Sequence, residues 1–121
     1  MAVISPEQRS EWIRLTERLT GEYAGCDLTV EVLDPESGDN RVVDRVPFDN
    51  ITYDDKDDVA VVAAARDPNR TDVALRHMVN HPQEFVVDLI PQGAAVKITD
   101  DGGATTLVSL LRHQEASGQG S

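Results

Sequence analysis

Asp54, Asp55, Asp57 and Asp58 put four carboxylates in five positions, the densest set of hard oxygen donors in the chain. Calcium takes about six to eight oxygens, and an EF-hand loop supplies them with glycine at the sixth position and a glutamate at the twelfth. Counted from Asp54, those positions hold Val59 and Ala65. The pattern fails, and a solvated loop between strands is expected. His77 and His81 stand four apart, a spacing that puts both on one side of a helix or a strand. Zinc needs a third and a fourth ligand. Cys26 and His113 are the other soft donors, both distant in sequence, and His77 has no glutamate beside it of the H-E-x-x-H kind. His77 is therefore expected at the margin of the core, and His81 in the turn made by Pro82. Neither a metal nor another cofactor is expected.

Nucleophilic chemistry fares no better. Cys26 needs a base and a field that lowers its pKa. Its neighbours Glu22 and Asp27 are acidic and would raise it. No G-x-S-x-G is present, and Ser37-Gly38 falls in a turn signal. Gly102-Gly103 is neither a P-loop nor a G-x-G-x-x-G opening a helix. No catalytic, cofactor-binding or metal-binding residues are assigned, and the chain is expected not to be an enzyme.

The charge balance narrows the partners. Against 22 acidic residues stand 11 basic ones, for a net charge of -11 over 121 residues. Such a field repels phosphate backbones and acidic membranes. The aromatics Trp12, Tyr23, Phe48, Tyr53 and Phe85 are scattered and not interleaved with basic residues. One small basic group, Arg66, Arg70 and Arg76, flanks a turn and reads as balance for Asp67 and Asp72. Neither nucleic acid nor a membrane is expected as a partner. No run approaches the roughly 20 apolar residues of a membrane span. A single cysteine excludes an internal disulfide, and Met1 to Pro6 has neither the basic nor the apolar region of a signal peptide. A cytoplasmic bacterial or archaeal protein is expected, with bacterial the reading adopted. Basic residues other than arginine are few, Lys56 and Lys97. A GC-rich genome and a halophile's acidic surface would both give that bias.

The elements that must position these residues follow from periodicity. Ser5-Pro6-Glu7-Gln8 starts a helix: Ser5 caps, Pro6 suits the first turn, and Gln8 completes a capping box. Trp12, Leu15 and Leu19 follow at helical spacing beside Ile13, and Gly21 reads as the stop, giving a helix over 6–20. Trp12 should anchor that helix. After Gly25 the period becomes two. A strand over 28–33 meets the turn cluster 35–40, and the next strand runs over 41–48. In the latter, Asp44 interrupts the apolar face and Pro47 removes a donor, so an edge strand is expected. Tyr53 to Asp58 reads as a charged loop, and Val59 to Ala65 as a strand buried on both faces or covered by the helix. Further strands are expected over 73–79, 85–90, 94–99 and 105–111, with Asp101-Gly102-Gly103 as a hairpin signal. Successive hairpins imply antiparallel pairing. The expected fold is α+β: an N-terminal helix on a twisted or partly rolled antiparallel sheet of about six to seven strands. Residues 1–113 would form one domain, and the small polar residues 114–121 a disordered tail.

This order of features resembles a bacterial family, domain of unknown function 5335. The points of contact are Glu11-Trp12-Ile13 in a short helix, then a glycine, the Thr-Val-Glu-Val strand from Thr29 to Val32, the Val-Pro-Phe-Asp-Asn-Ile segment from Val46 to Ile51, and the Asp-Gly-Gly-Ala-Thr-Thr-Leu hairpin from Asp101 to Leu107. The resemblance implies architecture across nearly the whole chain and nothing catalytic.

Two functions are expected from these features. The first is a non-enzymatic protein-interaction or stress-accessory module, as a monomer or weak homodimer. The second is a small-molecule-binding domain with its ligand in the mouth of the rolled sheet. A pocket with convergent polar groups favours the ligand. A filled core with an exposed apolar patch favours a protein partner.

Overall fold

The computed structural model describes residues 5–65 and 73–112. The helix α1 spans Pro6–Glu22, and seven strands follow: β1 Asp27–Asp34, β2 Gly38–Asp54, β3 Val59–Ala65, β4 Val73–Asn80, β5 Pro82–Ile90, β6 Gly93–Asp100 and β7 Thr105–Leu111. The Ser5 hydroxyl accepts from the Gln8 N–H, and the Gln8 side chain accepts from the Ser5 N–H, so the capping box is formed. The helix runs two residues further than expected. Gly21 continues it, and the left-handed turn falls at Gly25 (φ 88°).

All strands pair antiparallel in the order β4-β3-β2-β1-β7-β6-β5. The expected α+β class and partly rolled sheet are the observed ones. The two edges, β4 and β5, are consecutive in the chain and joined by His81 alone. They part at that corner instead of pairing, so the roll stays open. β4 leans over the other end of the sheet, with Val79 buried and His77 Nε2 3.5 Å from Thr106 Oγ1.

Alternation along the strands sends Leu28 and Val30, Phe48 and Ile51, Val96 and Ile98, and Val108 and Leu110 into one core. Trp12, Thr16 and Leu19 of α1 close it from within the roll. Thr16 is buried because its hydroxyl donates back to the Trp12 carbonyl at 2.9 Å. The Trp12 ring bridges the two halves of the sheet, 5.3 Å from the Tyr53 ring of β2 and 4.8 Å from the Phe85 ring of β5. β3 buries residues of both faces, as its unbroken apolar run implied. Glycine is required at position 93, where a Cβ would overlap the Leu110 carbonyl of β7.

The edge reading of 41–48 needs correction. That segment and the expected loop residues Tyr53 and Asp54 belong to one long strand, internal in the sheet order. Its first part pairs with β1, from Asp34↔Gly38 to Asp27↔Pro47, and β3 joins only from Phe48 onward. Asp44 and Pro47 thus mark a half of β2 that has β1 on one side and, among the described residues, no strand on the other. A bulge kinks the strand at Arg45 (φ 52°), where the Thr29 hydroxyl accepts from the Arg45 N–H and donates to Asp44. No helix among the described residues is long and apolar enough to cross a membrane.

Candidate functional site

Three places gather side chains of interest, all around the opening of the roll. The first is a polar clasp at the β4–β5 corner. The β2–β3 turn is closed by Asp54, which accepts from the Lys56 and Asp57 N–H groups at 2.9 and 3.4 Å. That turn presents Asp58 in the left-handed region (φ 54°), and the corner residue His81 is left-handed too (φ 55°). The Asp58 carbonyl accepts the His81 N–H at 2.8 Å, and the His81 ring contacts the Asp58 carboxylate through Nδ1 at 3.2 Å. The other carboxylate oxygen accepts the Tyr53 hydroxyl at 2.6 Å and lies 3.4 Å from Arg9 Nη1. Arg9 also donates to the Tyr53 oxygen at 3.1 Å.

Burial works to raise the Asp58 pKa. The hydrogen bonds from Tyr53 and His81, with the Arg9 charge, outweigh it and hold the carboxyl below its ordinary value. Burial, followed by the bond to Asp58 and its negative charge, pushes the Tyr53 hydroxyl far up. Tyr53 is thus a fixed donor and Asp58 a fixed acceptor. The clasp ties α1 to the β2–β3 turn and the β4–β5 corner, which the Val59↔Asn80 end of the β3–β4 ladder already joins.

The sequence-level candidates separate accordingly. Of the aspartates, Asp58 turns toward the clasp, Asp54 closes its own turn, and Asp55 lends Arg9 only its carbonyl. His77 and His81 do not converge: one meets Thr106, the other Asp58. Among the described residues no group of three or more histidine, cysteine, aspartate or glutamate side chains could hold a metal. Cys26 is buried at the start of β1, and burial pushes its thiol up, opposed by the Arg112 charge and helped by Asp27. His113, Arg66 and Arg70 lie outside the described residues, as does 114–121; Arg76 is on β4. Arg9 is the member of the clasp that sequence reasoning missed. Its only cue is the helix spacing that puts it one turn before Trp12's neighbour Ile13.

The second place is a groove of about 400 Å³ between the C-terminal half of α1 and β5, lined by Leu15, Leu19, Tyr23, Val87 and Leu89, with Arg18 and Glu22 on its rim. Leu89 is 80% exposed there. It shares a face of β5 with Phe85 and Val87, both packed on the core, but reaches past the helix that covers them. Among the described residues no strand pairs with the outer side of β5. The third place is a cleft of about 330 Å³ between β4 and the β6–β7 turn, with His77, Asn80, Asp100 and Thr106 among its walls. Burial lowers the His77 pKa. One Asp100 oxygen is used by the turn, accepting from Gly102 and Ala104.

Comparison with known proteins adds kinship without chemistry. An uncharacterized protein of Aquifex aeolicus (strain VF5) is 25% identical over 99 residues, covering 82% of this chain and 74% of that protein. No solved structure matches the chain. The model of a family of unknown function, DUF5335, matches residues 5–118, which hold α1 and all seven strands. The chain belongs to the DUF5335 family.

Proposed function

We propose that this chain is a non-enzymatic interaction module of the bacterial cytoplasm, and that it takes an extended segment of a protein partner along the free edge of β5. The observation that carries this reading is Leu89, a large apolar side chain 80% exposed beside an apolar groove, on an edge strand whose outer side pairs with no strand among the described residues. An exposed strand edge offers a row of backbone donors and acceptors, and a neighbouring groove supplies side-chain selectivity. Proteins commonly guard such edges with lysine, proline or inward charge. Past Pro82 at its start, β5 has no lysine or further proline, and its acids Glu84 and Asp88 point to the face opposite Leu89. Against catalysis stand the buried thiol of Cys26 and the engagement of both Asp58 oxygens by Arg9, Tyr53 and His81.

The test is a nonamer peptide library displayed against the protein, followed by NMR titration of the selected peptides. Binders with apolar residues at alternate positions should shift the amides of β5 and of Leu15 and Leu19, and Leu89→Arg should weaken them at least about tenfold. Peptides that bind equally well to Leu89→Arg, or that shift other surfaces, would overturn the reading.

The cleft at His77 favours a second reading, a small-molecule site. Its carboxylates, from Asp34, Asp100 and Asp101, suit a small amine. Shifts confined to His77, Asn80 and Thr106 on titration with such amines would select it over the first.

A further inference from the structure

We infer that the strand docked on β5 is β5 of a second copy of this chain, antiparallel, with Val87 on the twofold axis. The inference rests on the reading of the β5 edge given above and names its partner.

Antiparallel pairing allows few registers. Residues facing one another across a ladder must point to the same face, so a twofold axis between identical strands passes through a single residue that faces its own copy. On β5, past the irregularity between Pro82 and Glu84, the residues 85, 87 and 89 share one face, and 84, 86, 88 and 90 the other. An axis through Val86 sets Glu84 against Asp88 twice. An axis through Asp88 sets the two Asp88 carboxylates against each other. Like charges directly opposite are destabilising. An axis through Phe85 pairs Leu89 with position 81, where the chain turns its corner at His81. An axis through Leu89 leaves a ladder only from Asp88 to Ile90.

The axis through Val87 avoids every one of these faults. It sets Phe85 against Leu89, Val86 against Asp88 and Glu84 against Ile90, so no acid faces an acid. Each exposed Leu89 lands opposite a Phe85 that already packs on the core beside Trp12. Phe85, Val87 and Leu89 of the two copies then form one apolar row, flanked on both sides by the α1 groove. Charge placement and ladder length together therefore select one register, and it is the register that covers the most exposed apolar side chain of β5. The net charge of -11 on each copy opposes the approach. Added salt screens that repulsion and leaves the apolar row and the ladder intact, so the dimer tightens with ionic strength.

Register is read directly by disulfide trapping. Facing Cα atoms in an antiparallel ladder lie about 4.5–5.5 Å apart, inside the disulfide window. In a Cys26→Ala background, Val87→Cys should form a covalent dimer under mild oxidation at least about tenfold faster than Val86→Cys or Asp88→Cys. A mixture of the last two should cross-link to each other. Sedimentation velocity of the unmodified chain should show mass rising toward two copies with concentration, more so at about 0.5 M salt than at low salt, and Leu89→Arg should leave one copy with an unchanged circular dichroism spectrum. Equal trapping at 86, 87 and 88, or a single copy at every concentration and salt, would overturn the inference. If selected peptides still shift β5 in that case, the docking edge stands and only its partner is wrong. If neither peptides nor a second copy engage β5, both readings fall.

Discussion

Replacing Trp12 with alanine removes a side chain that packs on both halves of the open sheet. The residue is 6% exposed, and its ring packs on Tyr53 of β2 and Phe85 of β5. Truncating a buried aromatic costs ~3–5 kcal/mol, partly transfer and partly the cavity left behind. Each lost ring pair contributes about 0.5–1.5 kcal/mol of its own. A figure of about 4 kcal/mol is a large share of the roughly 5–15 kcal/mol that holds a domain folded. With a urea m-value of about 1.5 kcal/mol/M, the unfolding midpoint falls by roughly 2.5 M. Far-UV circular dichroism is the probe, since the variant has no tryptophan. Phe85→Ala alone and combined with Trp12→Ala completes a cycle, in which the pair should couple by about 1 kcal/mol. A midpoint shift below about 0.5 M, or strict additivity of the two changes, would refute the bridging role.

Other outcomes follow from the same geometry. Asp58 is held below its ordinary pKa, so its contribution to stability is present above about pH 4 and lost as pH falls through its folded value. Urea midpoints of the parent protein should therefore decline in acid more steeply than those of Asp58→Asn; parallel curves would show that the clasp is not coupled to folding. Tyr53→Phe should release the Asp58 carboxyl toward its ordinary value, seen as a shifted carboxyl carbon titration by NMR, and an unmoved titration contradicts the bond. Gly93→Ala forces a Cβ onto the Leu110 carbonyl and should cost at least about 1–3 kcal/mol in chemical denaturation. Calorimetric titration with calcium or zinc should show no stoichiometric event; a one-to-one isotherm abolished by Asp55→Ala or His77→Ala would contradict the reading of those residues.

Local signals in the sequence were sufficient for most elements of the fold. The capping box at Ser5 and Gln8, the period-two runs and the Asp101-Gly102-Gly103 turn each depend on neighbours within a few residues, and each formed as its chemistry dictates. The misreadings have physical causes. Glycine favours helix ends, so Gly21 reads as a stop, yet the left-handed residue is Gly25. Asp44 and Pro47 do mark a flank of β2 that no described strand covers. The bulge at Arg45 lets the strand continue past them into the sheet interior, and the hydroxyl that stabilises the bulge comes from Thr29 on the neighbouring strand. The composition of 53–58 reads as a charged loop, but Tyr53 is the last inward residue of a strand and its hydroxyl donates to Asp58. The clasp was illegible because its members come from positions 9, 53, 58 and 81, brought together only by the roll of the sheet. The β5 edge was illegible for the same reason. Its sequence reads as an ordinary half-buried strand, and only the sheet order shows that no described strand pairs with its outer side.

Amide hydrogen exchange along β5 bears most directly on the docking edge. An unpaired edge leaves every second amide without a ladder partner, and those amides exchange rapidly. At low protein concentration, alternate amides from Gln83 to Ile90 should exchange fast while their neighbours, bonded to β6, stay slow. Raising concentration and salt should slow the fast set and leave the other edge, β4, unchanged. Protection that appears on β4 instead, or fast β5 amides that stay fast at every concentration and with every selected peptide, would contradict the account.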